Sequence, residues 1–142
     1  MAKKALDNLA ARAISPASLR ALLVDCIEKA GGQPCKRPLK SIDTTDASTD
    51  IVQGCYVHVQ NFGSLADAKT SGDDRFVRFC FRAVHYRGQP QPWLEALVWH
   101  PSLGHADDMK FIFKAQADEG QDMFVQLLST ALHLTEATDS RT

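Results

Sequence analysis

The sequence predicts an α+β fold, a two-layer sandwich in which an antiparallel four-stranded meander is flanked by an N-terminal and a C-terminal helix. A segment with helical spacing of apolar residues lies near each end of the chain, and strand-like segments with alternating side chains lie between them. The connections are marked by Pro and Gly, and most are too short for parallel crossovers, which need about a dozen residues or more. The predicted element order is α-β-β-β-β-α.

Length and composition fit one soluble domain spanning residues 1–142. The chain is 44% apolar and 23% charged, with a net charge of −1, so any attraction to anions must come from a local patch. No apolar run approaches the roughly 18 residues that a membrane span requires. The start, "MAKKALDNLAARAIS", lacks the apolar core of a signal peptide, and Asp7 argues against a transit peptide. We expect a cytoplasmic protein without membrane association.

After a lead-in over residues 1–14, the stretch "SPASLRALLVDCIEKAGG" predicts the first helix. Ser15 suits the N-cap, Pro16 the first helical position, and Gly31 the left-handed residue after the helix. The polar segment 33–50, with two prolines followed by many Ser, Thr and Asp residues, predicts a linker or an irregular loop.

Side-chain alternation divides each predicted strand (51–60, 75–87, 93–100 and 109–115) into two sides. One side is apolar and is expected to meet the helices: Cys55, Val57, Val59; Val77, Phe79, Phe81, Ala83; Leu94, Ala96, Val98; Met109, Phe111, Phe113. The other side holds Tyr56, His58, Gln60; Phe76, Arg78, Cys80, Arg82, Val84, Tyr86; Trp93, Glu95, Leu97, Trp99; Lys110, Ile112, Lys114. We expect the arginines on this second side because burying an unpaired guanidinium under a helix is costly.

The second helix is predicted after the last strand. Asp118 and Gln121 have the spacing of a capping box, and an apolar repeat follows at Phe124, Leu127, Leu128, Ala131 and Leu132. With a helix at each end of the meander, both apolar stripes are expected to cover the same side of the sheet.

The side facing away from the helices is thus expected to be basic and aromatic, with Glu95 as its acid, paired with an arginine. Aromatic and arginine side chains dominate protein interfaces, and they also bind single-stranded nucleic acid by stacking and phosphate contact. A third interpretation is that the segment 33–50 or the N-terminus folds over this side. The candidate partner-binding residues are Arg78, Arg82, Tyr86, Trp93, Trp99, Lys110, Lys114 and His100.

The loop "HPSLGHADD" is the richest polar cluster. His100, His105, Asp107 and Asp108 are residue types that bind zinc or iron, which leaves a metal-assisted hydrolase as one alternative. Turn and capping hydrogen bonds explain the same residues. Neither a G-x-S-x-G, a P-loop, a G-x-G-x-x-G nor an H-E-x-x-H motif occurs in the sequence, and no cofactor is expected.

The run "FVRFCFRAVHYRGQPQPWLEALVWHPSL" resembles the ubiquitin-conjugating enzymes. That family has an N-terminal helix, a four-stranded antiparallel meander, a proline-rich turn, and a strand that ends in an aromatic-His-Pro-Asn motif before a later helix. Here Pro90 and Pro92 precede the third strand, which ends at Trp99-His100-Pro101. The order of elements agrees over most of residues 16–134, although few letters match.

Two departures bear on function. Ser102 stands where the family has the oxyanion-stabilising Asn, and "GHADDMKF" lacks the catalytic Cys expected there. The resemblance therefore implies a Cys-less member, similar in role to the inactive adaptors that bind partners. Together, these features predict a non-enzymatic interaction protein, an adaptor or an inhibitor or immunity-type protein; a single-stranded nucleic-acid binder is the first alternative and the metal-assisted hydrolase the second.

Overall fold

In the part of the chain that the structure describes, two helices cover one side of a five-stranded antiparallel sheet, which confirms the predicted α+β class. The computed structural model describes residues 14–44, 50–60, 77–105 and 108–139. Most of the predicted lead-in (1–13), part of the segment 33–50, and the residues Phe76 and Asp107 lie outside these ranges. None of the helices in the described ranges combines the length and apolar character that a membrane span needs.

In chain order the elements are helix α1 (Pro16–Lys29), strands β1 (Lys40–Ser41), β2 (Ile51–Gln60), β3 (Arg78–Tyr86), β4 (Trp93–Trp99) and β5 (Lys110–Gln116), and helix α2 (Ala117–Asp139). The sheet order is β1-β2-β3-β4-β5, so each strand pairs with the next and the meander is confirmed. Over the described residues the sheet has five strands rather than the four predicted. The additional strand, β1, lies inside the polar segment 33–50 and is too short to show alternation.

Helix α1 begins and ends as the sequence predicts. The Ser15 hydroxyl accepts a hydrogen bond from the backbone N–H of Ser18 at 3.1 Å, and Pro16 occupies the first turn. Gly31, just past the helix, has a φ of +87°, which costs a glycine little because it has no Cβ. The buried side consists of Leu19, Leu23, Cys26 and Ile27.

Helix α2 begins earlier than predicted. It starts at Ala117, directly after β5, so Asp118 lies in the first turn and not at the N-cap of a capping box. The backbone N–H of Ala117 donates to the carbonyl of Pro92 at 2.9 Å, which lets the strand pass into the helix without a capping loop. The predicted apolar side is confirmed: Phe124, Leu128, Ala131 and Leu132 are buried in the core.

The core lies between the helices and one side of β2, β3 and β4, as alternation predicts. Strand residues buried there are Cys55, Val57, Val59, Phe81, Ala83, Leu94 and Ala96, with Phe79 packed against them. Helix α1 packs on β2 and β3, and α2 packs on β4, β5 and α1. The Phe81 and Phe124 rings meet edge to face at 5.5 Å between centroids.

The predicted sides of β5 are wrong for two residues because the strand contains a bulge. Phe113 pairs with Ala96, but the next residue of β4, Leu97, pairs with Phe111, so Ile112 is an extra residue in β5. The side-chain alternation therefore changes phase there. Phe111 lies on the side away from the helices, and Lys110, opposite Val98, lies on the helix side.

His85 is a buried polar residue on the helix side of β3, 1% exposed. Its Nδ1 accepts from the backbone N–H of Ile14 at 3.2 Å, so Nε2 carries the proton and donates to the carbonyl of Gln89 at 2.8 Å. The imidazole thus joins Ile14, two residues before α1, to the β3–β4 turn. Strand alternation does not predict this role.

Gly120 allows α2 to approach β5, and we predict that Gly120→Ala destabilises the fold. A Cβ at this position would lie 2.5 Å from the Ala115 Cβ and 2.9 Å from the Phe113 ring. Overpacking a core costs about 1–3 kcal/mol, which exceeds the gain of about 1 kcal/mol from the higher helix propensity of alanine. Urea unfolding followed by circular dichroism measures the sum; an unchanged or increased free energy of unfolding would contradict the steric argument. Gly88→Ala is the comparison without a steric clash: its Cβ would meet open space, and any loss of stability there comes from the φ of +78°.

Candidate interaction face

The side of the sheet away from both helices is called the open face. Cross-strand pairing assigns to it Lys40, Tyr56, His58, Arg78, Cys80, Arg82, Glu95, Leu97, Trp99, Phe111 and Lys114, together with Tyr86 and Trp93. Of the predicted partner-binding residues, Lys110 lies on the other side and His100 lies in the loop that follows β4. The structure brings the remaining six onto the open face.

Glu95 occupies the centre of this face and is fully buried. Arg82 and Lys114 stand directly opposite it on the two neighbouring strands. Arg82 Nε donates to Glu95 Oε1 at 2.5 Å, the Tyr86 hydroxyl donates to Oε2, and Lys114 Nζ lies 3.7 Å from Oε2. The predicted pairing of Glu95 with an arginine is confirmed, and the carboxylate has two further partners.

The Lys114 ammonium is surrounded by aromatic rings. Its Nζ lies 4.6 Å from the centroid of Tyr86, 5.5 Å from Trp93 and 5.6 Å from Phe111. A cation within about 6 Å of a ring face is attracted by the ring quadrupole. Arg82 also lies over the Phe111 ring, with its Cζ 5.2 Å from the centroid. Both cations are therefore held in place by the rings as well as by Glu95.

Trp99 lies on the open-face side of β4 but does not present its ring to solvent. It is 1% exposed, and its indole N–H donates to the carbonyl of His105 in the following loop. His100 Nδ1 accepts from the backbone N–H of Ser102 at 3.1 Å and so caps the turn Pro101–Leu103. The loop after β4 thus covers the Trp99 end of the face, and His100 has the capping role that its sequence context allowed.

The opposite corner of the face is covered by Ile42. The backbone N–H of Ile42 bonds to the carbonyl of Gly54 at 3.0 Å, and a Cβ on Gly54 would lie 2.6 Å from Ile42 Cδ1. Gly54 therefore makes room for Ile42, beside the fully buried Val84. Part of the segment 33–50 does cover the open face, at this corner.

Two cavities open on the uncovered part. The first, of about 300 Å³, is lined by Ser41, Ile42, Asp43, Tyr56, His58, Cys80 and Arg82. The second, of about 270 Å³, is lined by Asp50, Tyr86, Arg87, Gln89, Trp93 and Lys114. Each is lined by a residue that has a buried nitrogen without a hydrogen-bond partner among the described residues: His58 with Nδ1 and Trp93 with Nε1.

Burial and charge shift two titrating groups of the first cavity. Burial lowers the pKa of His58 below its ordinary value, and the nearby Arg78 and Lys40 lower it further. Burial raises the pKa of the Cys80 thiol to about 11, so the sulfur stays protonated at neutral pH. Since the nucleophile is the thiolate, neutral pH does not favour Cys80 as one. Burial, together with the hydrogen bond to Glu95, also raises the pKa of Tyr86.

A metal site does not assemble from the described residues. Within those ranges, no three His, Cys, Asp or Glu side chains come close enough together to hold a metal ion. Asp107, one member of the predicted hydrolase cluster, lies outside them.

Comparison of the chain with protein-family models, with curated proteins and with solved structures finds no match. The resemblance to ubiquitin-conjugating enzymes therefore stays a prediction, and a function for the chain has to be inferred from the geometry of the open face.

Sequence patterns do not reveal two contributors to the face. Alternation assigns Phe111 to the core, because the bulge at Ile112 leaves no mark in an alternating pattern. Ile42 falls in a predicted linker, although an isoleucine in a polar segment is a signal that it is buried somewhere.

We predict that His58 makes the protein less stable in acid. The unfolded chain takes up a proton near pH 6.5, whereas the folded histidine resists it. The stability that the neutral His58 provides is therefore complete above pH 6.5. It is lost as the pH falls through the lowered pKa that His58 has in the folded protein. His58→Phe, which keeps a ring beside Tyr56, should show a smaller loss between pH 7.5 and 5 in urea unfolding. His133→Gln, on the exposed surface of α2, is the control; equal losses in wild type and His58→Phe would refute the assignment.

Proposed function

We propose that this chain is a non-enzymatic protein-interaction module, an adaptor or an inhibitor or immunity-type protein, whose open face binds an acidic partner protein. The observation that carries the proposal is the set of aromatic rings and cations arranged around buried Glu95 on a face that neither helix covers. The chain as a whole has a net charge of −1, yet this face displays Lys40, Arg78, Arg82 and Lys114.

The exposed apolar surface supports a macromolecular partner. Phe111 is 52% exposed beside half-buried Tyr86 and Trp93. A large ring left in water gains free energy when a partner covers it, and aromatic and arginine side chains provide most of the binding energy at interfaces. The cations around it favour a surface rich in Asp and Glu, because complementary charge speeds association and excludes wrong partners.

Single-stranded nucleic acid fits this face less well. Arg82 and Lys114 both pair with Glu95, so the positive charge left on the face is reduced, and binding to a phosphate backbone depends on charge at each contact. A nucleic-acid complex would weaken steeply with salt because phosphate contacts release counterions. A partner protein needs only local charge complementarity and apolar contact, both of which the face offers.

The cysteines support an intracellular setting for the proposed function. Cys26, Cys35, Cys55 and Cys80 all carry free thiols. Unpaired thiols are typical of reducing compartments, so we propose that the protein acts in the cytoplasm.

We predict that Phe111→Ser abolishes partner binding while Met123→Ser preserves it. The two side chains are matched in exposure, at 52% and 51%, but Met123 lies on α2. Loss of an aromatic anchor lowers affinity by about tenfold or more. Charge reversal of Arg82 is a poorer test, because it would place a second carboxylate against buried Glu95.

The measurement is quantitative mass spectrometry of proteins retained from an extract of the source cells by tagged wild type and by each variant. The expected result is an acidic protein retained by wild type and Met123→Ser and lost from Phe111→Ser. Retention of the same proteins by all three would contradict the proposed face. Thermal melts of the purified variants check that each is folded.

A further inference from the structure

The cavity of about 270 Å³ beside Trp93 has the chemistry of a small anion site. Two cations, Lys114 and Arg87, line it together with one carboxylate, Asp50. The remaining lining residues are Tyr86, Trp93 and Gln89. Their side chains can pack against the aliphatic part of a ligand. A group that enters this space meets a net positive surface at its polar end and apolar rings at its side.

Trp93 adds a hydrogen-bond requirement. Its indole N–H can only donate, and Nε1 is buried without an acceptor among the described residues. A buried donor left unpaired is destabilising because it has lost its hydrogen bond to water. A ligand with an acceptor oxygen would recover that cost, so the cavity favours an acceptor and not another donor.

Lys114 is the side chain that can turn toward such a ligand. Its side chain is 46% exposed, and its 3.7 Å separation from Glu95 is longer than the contacts that Arg82 and Tyr86 make with the same carboxylate. If Lys114 turns, Glu95 keeps its two closer partners. The movement would also uncover the Trp93 ring, over which the ammonium lies at 5.5 Å.

We propose that this cavity binds the carboxylate of an Asp or Glu side chain of the partner protein, with Lys114 and Trp93 Nε1 as donors and Arg87 beside them. The inference rests on the proposed function and names the group that the partner inserts. A cationic side chain is disfavoured because Lys114 and Arg87, which line the cavity, repel a third positive charge. A phosphate dianion is disfavoured because Asp50 repels its second charge.

The experiment uses the 15N-labelled full chain and the probe N-acetyl-glutamate amide, with neutral N-acetyl-glutamine amide as the matched control. The chain has two tryptophans, so the indole N–H region contains two signals, and Trp93→Phe assigns them. The Trp99 N–H already donates to the His105 carbonyl and serves as an internal reference. We expect a saturable shift of the Trp93 signal with the glutamate probe, a fixed Trp99 signal, and no shift with the glutamine probe.

Two lysines on the same strand provide the specificity test. Lys114→Gln should weaken binding of the glutamate probe by about tenfold, the value of one charge-assisted hydrogen bond. Lys110→Gln, on the helix side of β5, should leave it unchanged. Because Lys114→Gln also removes a partner of Glu95, Arg87→Gln is the second variant, with a smaller expected loss. Equal effects of Lys114→Gln and Lys110→Gln would overturn the site, as would equal shifts with both probes.

Inorganic phosphate at matched ionic strength is the final arm. A saturable Trp93 shift with phosphate and none with the glutamate probe would overturn the carboxylate assignment. Failure of the cavity is distinguishable from failure of the proposed function, because the Phe111→Ser comparison measures partner retention without reference to this cavity.

Discussion

The buried carboxylate of Glu95 is the constraint on which the open face depends. Taking a carboxylate out of water costs several kcal/mol, and only well-placed donors offset that cost. The antiparallel register supplies two of them, because Arg82 and Lys114 stand directly opposite Glu95 on the neighbouring strands. Tyr86, four residues along β3 from Arg82, supplies the third. One acidic residue in β4 thereby brings three side chains together on a surface that the helices leave uncovered, and it holds Arg82 and Tyr86 most closely.

The same constraint determines what the surface can offer. Arg82 and Tyr86, which contact Glu95 closely, have little rotamer freedom left to lose, so a partner meets side chains that are already ordered. The rings of Tyr86, Trp93 and Phe111 extend this order by holding Lys114 above the carboxylate. Covering loops close both ends, with Ile42 against Gly54 at one corner and the residues after β4 over Trp99 at the other. The region between them is compact, basic and aromatic.

Much of the fold and of the open face can be predicted from the alternation of side chains along the strands. Alternation places Phe81 and Ala83 in the core and Arg82 opposite, and Glu95, on the same side as the arginines, predicts an arginine partner. The bulge at Ile112 is not encoded in this way, because one extra residue reverses the sides beyond it without changing composition. The burial of Trp99 is likewise not encoded, because it depends on the conformation of the loop that follows β4. Strand β1 is not encoded either, because its two residues form a strand by pairing with β2.

The most direct test of the central role of Glu95 is a double-mutant cycle on the free energy of unfolding, with Arg82→Met, Glu95→Met and the double variant. Removing Arg82 alone leaves a buried carboxylate without its arginine partner, so we predict a loss of about 3–5 kcal/mol. The double variant, which replaces the pair by apolar side chains, should recover most of that loss. Additive losses, with the double variant less stable than either single variant, would contradict the account.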